Sequence, residues 1–306
     1  MFGRKKFSFN DIPDLTGKVG IVTGGNSGIG YVTARELARK NAHVIVCCRS
    51  IERGQAAVDK IKAETKNDNV EVLQLDLSDW KSTKDAADNF VARKLPLHIL
   101  VNNAGIMATP YELNEHGIEK QFATNYLGHF VLTKTLLPVI EASTPSRIVN
   151  VSSLSYKSAP KTGINFDDIN LEKENAVTRY GQSKIANILF TLELAKRLEG
   201  KQVWTNAVHP GFVNTNISQE FLSNQGFLTK SIIYVAKALF AMNEDDGALT
   251  SLYAATSPEI EKEDYRGKYF EPIAKLGTLK PFATNQETAS RLWKWTEDLL
   301  NEKLGI

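Results

Sequence analysis

Cysteine is scarce in this sequence. Of its 306 residues only two are cysteines, and they are neighbours, Cys47 and Cys48, inside an apolar run. Neighbouring residues of a β-strand point to opposite faces of a sheet, so these two thiols are poorly placed to form a disulfide with each other. The sequence therefore excludes a fold held together by disulfides and is typical of a protein from a reducing compartment.

Long apolar runs and an excess of one charge are also missing. The 37 Lys and Arg residues balance 35 Asp and Glu residues, so the composition gives no electrostatic reason to expect nucleic acid as a partner. Residues 1–9 carry basic side chains with no apolar stretch after them, which predicts neither a secretory signal nor a spanning helix. The cytoplasm is the expected location. Peripheral contact with a membrane or lipid droplet is the alternative, because phenylalanines alternate with the basic residues of this arm.

Metal-ligand spacing is the third absence. The histidines are scattered along the chain, without the close pairs or the neighbouring cysteines that zinc sites use. We therefore expect no metal site. The five histidines are His43, His98, His116, His129 and His209.

What the sequence does contain is a glycine-rich turn after its first apolar run, residues 19–23. Gly24, Gly28 and Gly30 have the spacing G-x-x-x-G-x-G, and helical periodicity begins directly after them. Glycine lets the backbone approach a pyrophosphate closely, and a helix start offers free N–H groups and positive potential. The pattern predicts a dinucleotide-binding turn. Its spacing differs from the commoner G-x-G-x-x-G, so an ordinary glycine-rich βα turn is the alternative on this motif alone.

Apolar strand patterns alternate with amphipathic helix patterns along the whole chain. Short-range alternation of this kind requires a parallel sheet with right-handed crossovers. We predict an α/β fold: a single doubly wound, Rossmann-type domain over 17–306, with a parallel seven-stranded sheet, helices on both faces and an N-terminal arm, 1–16. The predicted strands are 19–23, 43–48, 70–75, 98–101, 147–151, 202–208 and 268–270, and the predicted helices are 29–40, 52–66, 78–93, 115–137, 180–198, 247–256 and 285–303.

Polar residues stand where several of these strands end, which is where ligands bind in doubly wound folds. Arg49 follows the second strand, at the place where NAD-binding folds put an acidic residue on the ribose 2′-hydroxyl. A guanidinium can bond two phosphate oxygens at once, so Arg49, with Arg53 one helical turn later, favours NADP(H) over NAD(H). Asp76 follows the third strand. It can accept the adenine amine or act as a helix N-terminal acid, and the sequence leaves both open.

Tyr180 and Lys184 are four residues apart in a predicted helix and so lie on one helical face. A phenol has a pKa of about 10, and a nearby ammonium lowers that pKa toward the working pH of a general acid. In isolation this spacing is more typical of a packed ring and a solvated amine. The chemical interpretation therefore depends on which other motifs occur in the same sequence.

Four motifs occur together: the glycine turn, Asn-Asn-Ala-Gly at 102–105, Ser-Ser at 152–153 and Tyr-x-x-x-Lys at 180–184. Together they resemble the short-chain dehydrogenase/reductase family over about residues 17–217. The stretches 121–130, 166–170 and 209–215 are similar to the branch that contains retinol dehydrogenases, the WW-domain oxidoreductase and their fungal homologues. The spacing from Ser153 to Tyr180 is longer than in many members of the family. It resembles an insertion of the retinol dehydrogenase branch, so we expect 154–177 to be a substrate-side segment.

The resemblance implies a role for each motif. Tyr180 would be the acid/base, and Lys184 would lower its pKa and bind the nicotinamide ribose. Ser153, with Ser152 as the competing candidate, would polarise the substrate carbonyl. Asn125 would hold a water that links Lys184 to bulk solvent. The full predicted set of cofactor-binding residues is Thr23, Gly24, Asn26, Ser27, Gly28, Ile29, Gly30, Arg49, Arg53, Asp76, Leu77, Asn103, Ala104, Gly105, Tyr180, Lys184, Pro210, Gly211, Val213 and Thr215.

The segment 212–243 is rich in apolar residues, and in the family this region covers the substrate. An apolar cover suggests a lipophilic carbonyl compound. A packed helix pair, a subunit interface or a membrane-facing patch explains the same pattern. The apolar residues in question are Phe221, Leu222, Phe227, Leu228, Ile232, Ile233, Tyr234, Leu239 and Phe240.

We therefore expect an NADP(H)-dependent oxidoreductase that transfers hydride between nicotinamide and a lipophilic aldehyde or ketone, or the matching alcohol, and works as a reductase. An NADPH-binding regulatory or scaffold protein without turnover is the alternative. Nucleotide-sugar epimerisation ranks last, because Tyr31 stands where the last glycine of a G-x-x-G-x-x-G turn belongs. Whether the chain forms a homodimer is open.

Overall fold

The centre of the protein is an eight-stranded sheet in the order β3-β2-β1-β4-β5-β6-β7-β8. The computed structural model describes residues 6–213 and 242–305. Strands β1 to β7 are parallel, and β8 pairs antiparallel with β7. The strands are β1 (Val19–Thr23), β2 (His43–Cys48), β3 (Val70–Gln74), β4 (Ile99–Asn102), β5 (Ser146–Val151), β6 (Val203–Val208), β7 (Tyr269–Glu271) and β8 (Lys275–Leu276).

Helices cover both faces of this sheet, which confirms the predicted doubly wound α/β fold. One apolar core lies under α1, α2, α7 and α8, and the other lies under α3, α5, α6 and α9. The helices of the described residues are α1 (Gly28–Arg39), α2 (Ile51–Thr65), α3 (Trp80–Ala92), α4 (Lys120–Phe122), α5 (Gly128–Ala142), α6 (Ala176–Arg197), α7 (Glu244–Thr256), α8 (Pro258–Lys262) and α9 (Gln286–Leu304). The eighth strand was not predicted, because two exposed residues are too short a run to show a period.

The predicted helix over 115–137 differs most from the structure. Leu113 bridges to Glu119 as a short antiparallel pair, and the Glu119 carboxylate then accepts the N–H of Phe122, so α4 starts only at residue 120. A π-helical turn, Ala123–Leu127, separates α4 from α5. At the other end Pro138 lies inside α5 and does not end it, since the fully buried Ile140 packs beyond it.

The last helix, α9, packs on α5 and α6 through aromatic rings. The ring centroids of Phe130 and Trp293 are 4.8 Å apart, and those of Phe190 and Trp293 are 5.7 Å apart. The Tyr126 hydroxyl adds a hydrogen bond of 2.8 Å to Thr296. The C-terminal helix therefore covers the outer face of the helix that carries Tyr180.

The sheet places the carboxyl ends of β1 to β6 at one edge, with the glycine turn between β1 and α1. Phe7 of the N-terminal arm packs against Tyr253 of α7, with ring centroids 5.4 Å apart. None of the helices in the described ranges combines the length and the apolar character needed to span a bilayer. The carboxyl edge of the sheet is thus the place to look for a site.

Candidate active site

A cleft of about 820 Å³ runs along the carboxyl ends of the strands. Every residue predicted to bind the cofactor lines this cleft except Thr215, which lies outside the described residues. Ser153, Tyr180 and Lys184 line the same cleft. The structure thus brings together residues that are spread over almost two hundred positions of the sequence.

The glycine turn has the shape that its sequence predicts. Gly24 and Gly28 have positive φ angles of 63° and 56°, which side chains rarely tolerate. A Cβ atom on Gly30 would lie 2.2 Å from the carbonyl oxygen of Gly24 and 2.5 Å from Nδ2 of Asn103. The turn is therefore a cradle that only glycines can form, and its size and its place at a helix start fit a pyrophosphate.

Thr23 and Asn103 tie the end of β1 to the end of β4. The Thr23 hydroxyl accepts the N–H groups of Asn103 and Ala104, each at 2.9 Å, and Asn103 Nδ2 donates to the Thr23 carbonyl at 2.8 Å. The Thr23 side chain is fully buried. It thus shapes the turn from beneath, and its own hydroxyl points into the protein.

Arg49 and Arg53 stand at the far mouth of the cleft. Both side chains are exposed, and within the described ranges neither forms an ion pair. Ser50 lies between them and accepts the N–H of Arg53 at 3.2 Å, which caps α2. Two uncommitted guanidinium groups beside a helix start fit a phosphate monoester.

Asp76 lies in a turn just before α3 and lines the cleft. Its Oδ1 atom accepts the N–H and the hydroxyl of Ser78, at 2.9 and 2.6 Å, which is a local turn. The cap of α3 is Asp79, whose side chain accepts the N–H of Ser82. Asp76 is therefore not the helix cap, and no hydrogen bond within the described residues engages its second oxygen, Oδ2.

Tyr180, Ser153 and Lys184 line the cleft together, the first and last buried and Ser153 half-buried. The Ser153 hydroxyl donates to the Ser155 hydroxyl at 3.3 Å and lies close enough to the Tyr180 phenol to oppose part of the rise in its pKa. The Lys184 ammonium lies 5.5 Å from the centre of the Tyr180 ring and donates to the carbonyl of Val151 at 3.1 Å. The neighbouring Ser152 hydroxyl is buried and donates to the Lys184 carbonyl at 2.7 Å. Of the two serines, Ser153 is the one that faces Tyr180.

Burial controls the protonation of this group. Burial raises the pKa of Tyr180 to about 12, which the nearby Ser153 hydroxyl only partly opposes. It also lowers the pKa of Lys184 to about 8. In this structure the cost of desolvating a phenolate sets the direction of the shift, with the Lys184 ammonium 5.5 Å from the ring centre, and the lowering of the Tyr180 pKa by Lys184 stays a prediction. At neutral pH the phenol keeps its proton, as a general acid must.

Asn125 lies behind the cleft wall, in the π-helical turn. Its Oδ1 accepts the N–H of Ile106 at 2.8 Å, and its Nδ2 donates to the Ile106 carbonyl and to the Ser183 hydroxyl, both at 2.9 Å. Both amide hydrogens are therefore committed to protein atoms. Asn125 fixes the chain after Gly105 against α6, and the water that the family resemblance assigns to it stays a prediction.

The substrate side of the cleft is partly apolar. Its described lining includes Leu154, Ser155, Lys157 and Ser158, which are the part of the predicted segment 154–177 that reaches the cleft. Farther along, Ile164 and Leu171 are buried in the core. The predicted segment 212–243 lies outside the described residues from 214 to 241, and the nine apolar residues named for it all fall there. Residues that sequence reasoning missed as cleft lining include Ile106, Met107, Lys120, Thr124 and His209.

His209 has a position that could have been found from the sequence, since it precedes the Pro-Gly pair of the predicted site. Burial lowers its pKa to about 4, so its imidazole is neutral at physiological pH. Its Nδ1 atom accepts the N–H of Gly211 at 3.4 Å. In residues 6–213 and 242–305, no cluster of three or more His, Cys, Asp or Glu side chains is arranged to hold a metal ion.

Comparison with known proteins gives one consistent result. The model of the short chain dehydrogenase family matches residues 18–166. An uncharacterised oxidoreductase from Schizosaccharomyces pombe is 43% identical, with 97% of this chain and 89% of the relative covered. Retinol dehydrogenase 12 from Mus musculus is 42% identical, with 94% of this chain and 87% of the relative covered.

Solved structures agree with these sequence relatives. A protein from Mycobacterium paratuberculosis is 33% identical and superposes with a TM-score of 0.75, covering 96% of this chain and 97% of its own. A short chain dehydrogenase from Burkholderia cenocepacia in complex with NADP is 25% identical, with a TM-score of 0.66 and coverage of 86% and 98%.

Proposed function

The chain belongs to the short-chain dehydrogenase/reductase family, and from that premise we propose that it is an NADP(H)-dependent carbonyl reductase. It transfers hydride between nicotinamide and a lipophilic aldehyde or ketone, reversibly as an alcohol dehydrogenase. The observation that carries the proposal is the buried Tyr180 phenol beside Ser153 and Lys184, in the same cleft as the glycine turn. The chain from 17 to 306 acts as one domain in the cytoplasm.

The residues of the cleft fit the dinucleotide. The N–H groups of the glycine turn bind the pyrophosphate, Arg49 and Arg53 bind the 2′-phosphate, and the free oxygen of Asp76 accepts the adenine amine. Lys184 donates one hydrogen bond within the described residues, to Val151, so two of its three N–H groups are left for the nicotinamide ribose. The bound dinucleotide supplies the hydride. A bound NADP in the Burkholderia cenocepacia relative supports the choice of cofactor.

The chain's own residues supply the proton. The Ser153 hydroxyl and the Tyr180 phenol donate hydrogen bonds to the carbonyl oxygen of the substrate, which polarises the bond. As the carbonyl carbon is reduced, Tyr180 gives its proton to the developing alkoxide, and the Lys184 ammonium stabilises the phenolate that is left. A phenol with a pKa raised to about 12 is protonated at neutral pH, which is the state that a proton donor for carbonyl reduction needs.

Two observations support a lipophilic substrate. The described substrate side presents Ile106, Met107, Leu154 and Phe212, and Leu154 and Phe212 are 44% and 46% exposed. Exposed apolar side chains at the mouth of a cleft are typical of a site that buries an apolar ligand. Among the relatives, retinol dehydrogenase 12 is named for a lipophilic alcohol.

The test is turnover of a series of straight-chain aldehydes of increasing length, followed by the loss of NADPH absorbance. We expect the specificity constant to rise with chain length. Tyr180→Phe should lower kcat by about 100-fold or more, the size of a general-acid contribution. Tyr265→Phe is the matched control, because that ring packs on Phe270 on the other face of the sheet.

Retained turnover in Tyr180→Phe would overturn the assignment of the acid. Tight NADPH binding with no turnover of any carbonyl would instead favour the regulatory alternative.

A further inference from the structure

A buried histidine connects the glycine turn with the turn that carries Asn125. His129 is the second residue of α5 and is 2% exposed. Its Nε2 atom lies 2.8 Å from Oγ1 of Thr23, and its Nδ1 atom lies 3.0 Å from the carbonyl oxygen of Asn125. His129 does not line the cleft, so it can act only through these two partners.

The hydrogen-bond inventory decides which atom donates in each contact. The Asn125 carbonyl can only accept, so Nδ1 of His129 carries the hydrogen. The Thr23 hydroxyl already accepts the N–H groups of Asn103 and Ala104. Its own hydrogen therefore goes to Nε2 of His129 at 2.8 Å, since the alternative acceptor, the Val101 carbonyl, is 3.4 Å away. Burial lowers the pKa of His129 to about 4, which keeps the imidazole neutral and this arrangement intact.

Each end of this link reaches the candidate site. Thr23 holds the backbone of Asn103 and Ala104 and immediately precedes Gly24. Asn125 holds Ile106 on the cleft wall and Ser183 next to Lys184. The turn between them is π-helical, with the N–H of Gly128 donating to the Ala123 carbonyl, and such wide turns are frequent at functional sites.

We infer that His129 is a positioning residue for the reaction: its imidazole holds the Asn125 turn at a fixed distance from the cofactor-binding turn. This inference rests on the proposed function. The His129 side chain then has two separable roles, one for each of its hydrogen bonds. The bond to Thr23 supports the cofactor turn, and the bond to Asn125 supports the segment behind Tyr180 and Lys184.

The two tasks can be separated by amide side chains. The amide of asparagine lies where Nδ1 of histidine lies, so His129→Asn keeps the hydrogen bond to the Asn125 carbonyl and loses the hydrogen bond to Thr23. The amide of glutamine lies where Nε2 of histidine lies, so His129→Gln keeps the hydrogen bond to Thr23 and loses the hydrogen bond to the Asn125 carbonyl. His129→Leu loses both bonds. His98→Gln is the control at a second histidine. His98 is half-buried, and its Nδ1 atom accepts the N–H of Val19 on β1 at the opposite edge of the sheet.

The experiment measures three quantities on the full chain: the NADPH Kd by fluorescence titration without a carbonyl substrate, kcat for reduction at saturation, and Tm. One net hydrogen bond corresponds to about a 3- to 10-fold effect. We expect that factor as a rise in the NADPH Kd for His129→Asn and as a fall in kcat for His129→Gln. His129→Leu should show both effects, and His98→Gln neither.

A second pair of variants tests the Thr23 bond from its other side. Thr23→Val should raise the NADPH Kd at least as much as His129→Asn does, because it also removes the acceptor of the Asn103 and Ala104 N–H groups. The double variant should bind NADPH no more weakly than the weaker of the two single variants, because both remove the same bond.

A purely structural histidine would lower Tm in all three variants without separating Kd from kcat, and that result would overturn the inference. If the wild-type protein binds no NADPH or reduces no carbonyl, the proposed function fails first. If the wild type does both and the variants show no separation, only the role of His129 fails.

Discussion

Replacement of Gly30 by alanine tests the cofactor turn by putting a methyl group in place of one hydrogen. The added Cβ would meet the Gly24 carbonyl oxygen at 2.2 Å and Nδ2 of Asn103 at 2.5 Å, whereas real Cβ contacts essentially never fall below 3.0 Å. Because the first of these atoms belongs to the backbone, no rotamer change can relieve the contact, and the turn itself must open. Gly30→Ala therefore alters the cradle without removing any polar group.

The size of the effect follows from the cost of overpacking, about 1–3 kcal/mol. If the bound cofactor requires the native turn, the free energy of NADPH binding becomes less favourable by that amount. It corresponds to an increase of about 5- to 150-fold in the NADPH Kd, at about 1.4 kcal/mol for each factor of ten. If the free protein relaxes by opening the turn, Tm changes little, and the substitution shows mainly as a rise in the NADPH Kd.

Fluorescence titration with NADPH, alongside thermal unfolding, measures both quantities. Gly20→Ala is the matched control: Gly20 lies on β1, and a Cβ there has its nearest neighbours, Ile99 Cβ and Leu37 Cδ1, at an ordinary 3.6 Å. It should leave the NADPH Kd unchanged. A folded Gly30→Ala protein that binds NADPH as tightly as the wild type would refute the interpretation of this turn.

Three further predictions address the cofactor, the pH dependence and the C-terminal helix. Arg49→Asp should raise the KM for NADPH sharply and leave the KM for NADH nearly unchanged, because only NADPH carries the 2′-phosphate; equal effects in steady-state kinetics would contradict this. Burial lowers the pKa of Lys184 to about 8, so its ammonium is present below that pH and lost above it. A pH profile of kcat for reduction should therefore fall above about pH 8, and a rate that still rises there would argue against the ammonium. Trp293→Ala should destabilise the protein by about 3–5 kcal/mol through its lost contacts with Phe130 and Phe190, and an unchanged Tm in thermal denaturation would show that α9 contributes little.

Most of the site's composition could be predicted from the sequence. Parallel strands bring their carboxyl ends to one edge, so residues that follow different strands, such as Gly24, Arg49, Asn103 and Ser153, meet in one cleft. The same logic gave the strands of the parallel sheet within a residue or two. This reasoning missed the irregular segments between the strands and helices. The start of α4 depends on the pairing of Leu113 with Glu119, which no periodicity shows.

Tertiary properties could not be predicted. The choice between Ser152 and Ser153 depends on a hydrogen bond from Ser152 to the backbone of Lys184, far along the chain. The pKa of Tyr180 depends on burial, whereas the sequence shows only that Lys184 is four residues away. His129 was considered only as a metal ligand, because its partner Thr23 lies 106 residues earlier in the chain.

The most direct test of the proposed function is to follow the hydride itself. NADPH that carries deuterium at C4 of the nicotinamide is incubated with a long-chain aldehyde and the full-length protein, and the alcohol is examined by mass spectrometry and NMR. We predict one deuterium on the carbinol carbon with the wild-type protein and little or no alcohol with Tyr180→Phe. NADPH binding without deuterated alcohol from any lipophilic carbonyl would contradict hydride transfer as the function of this cleft.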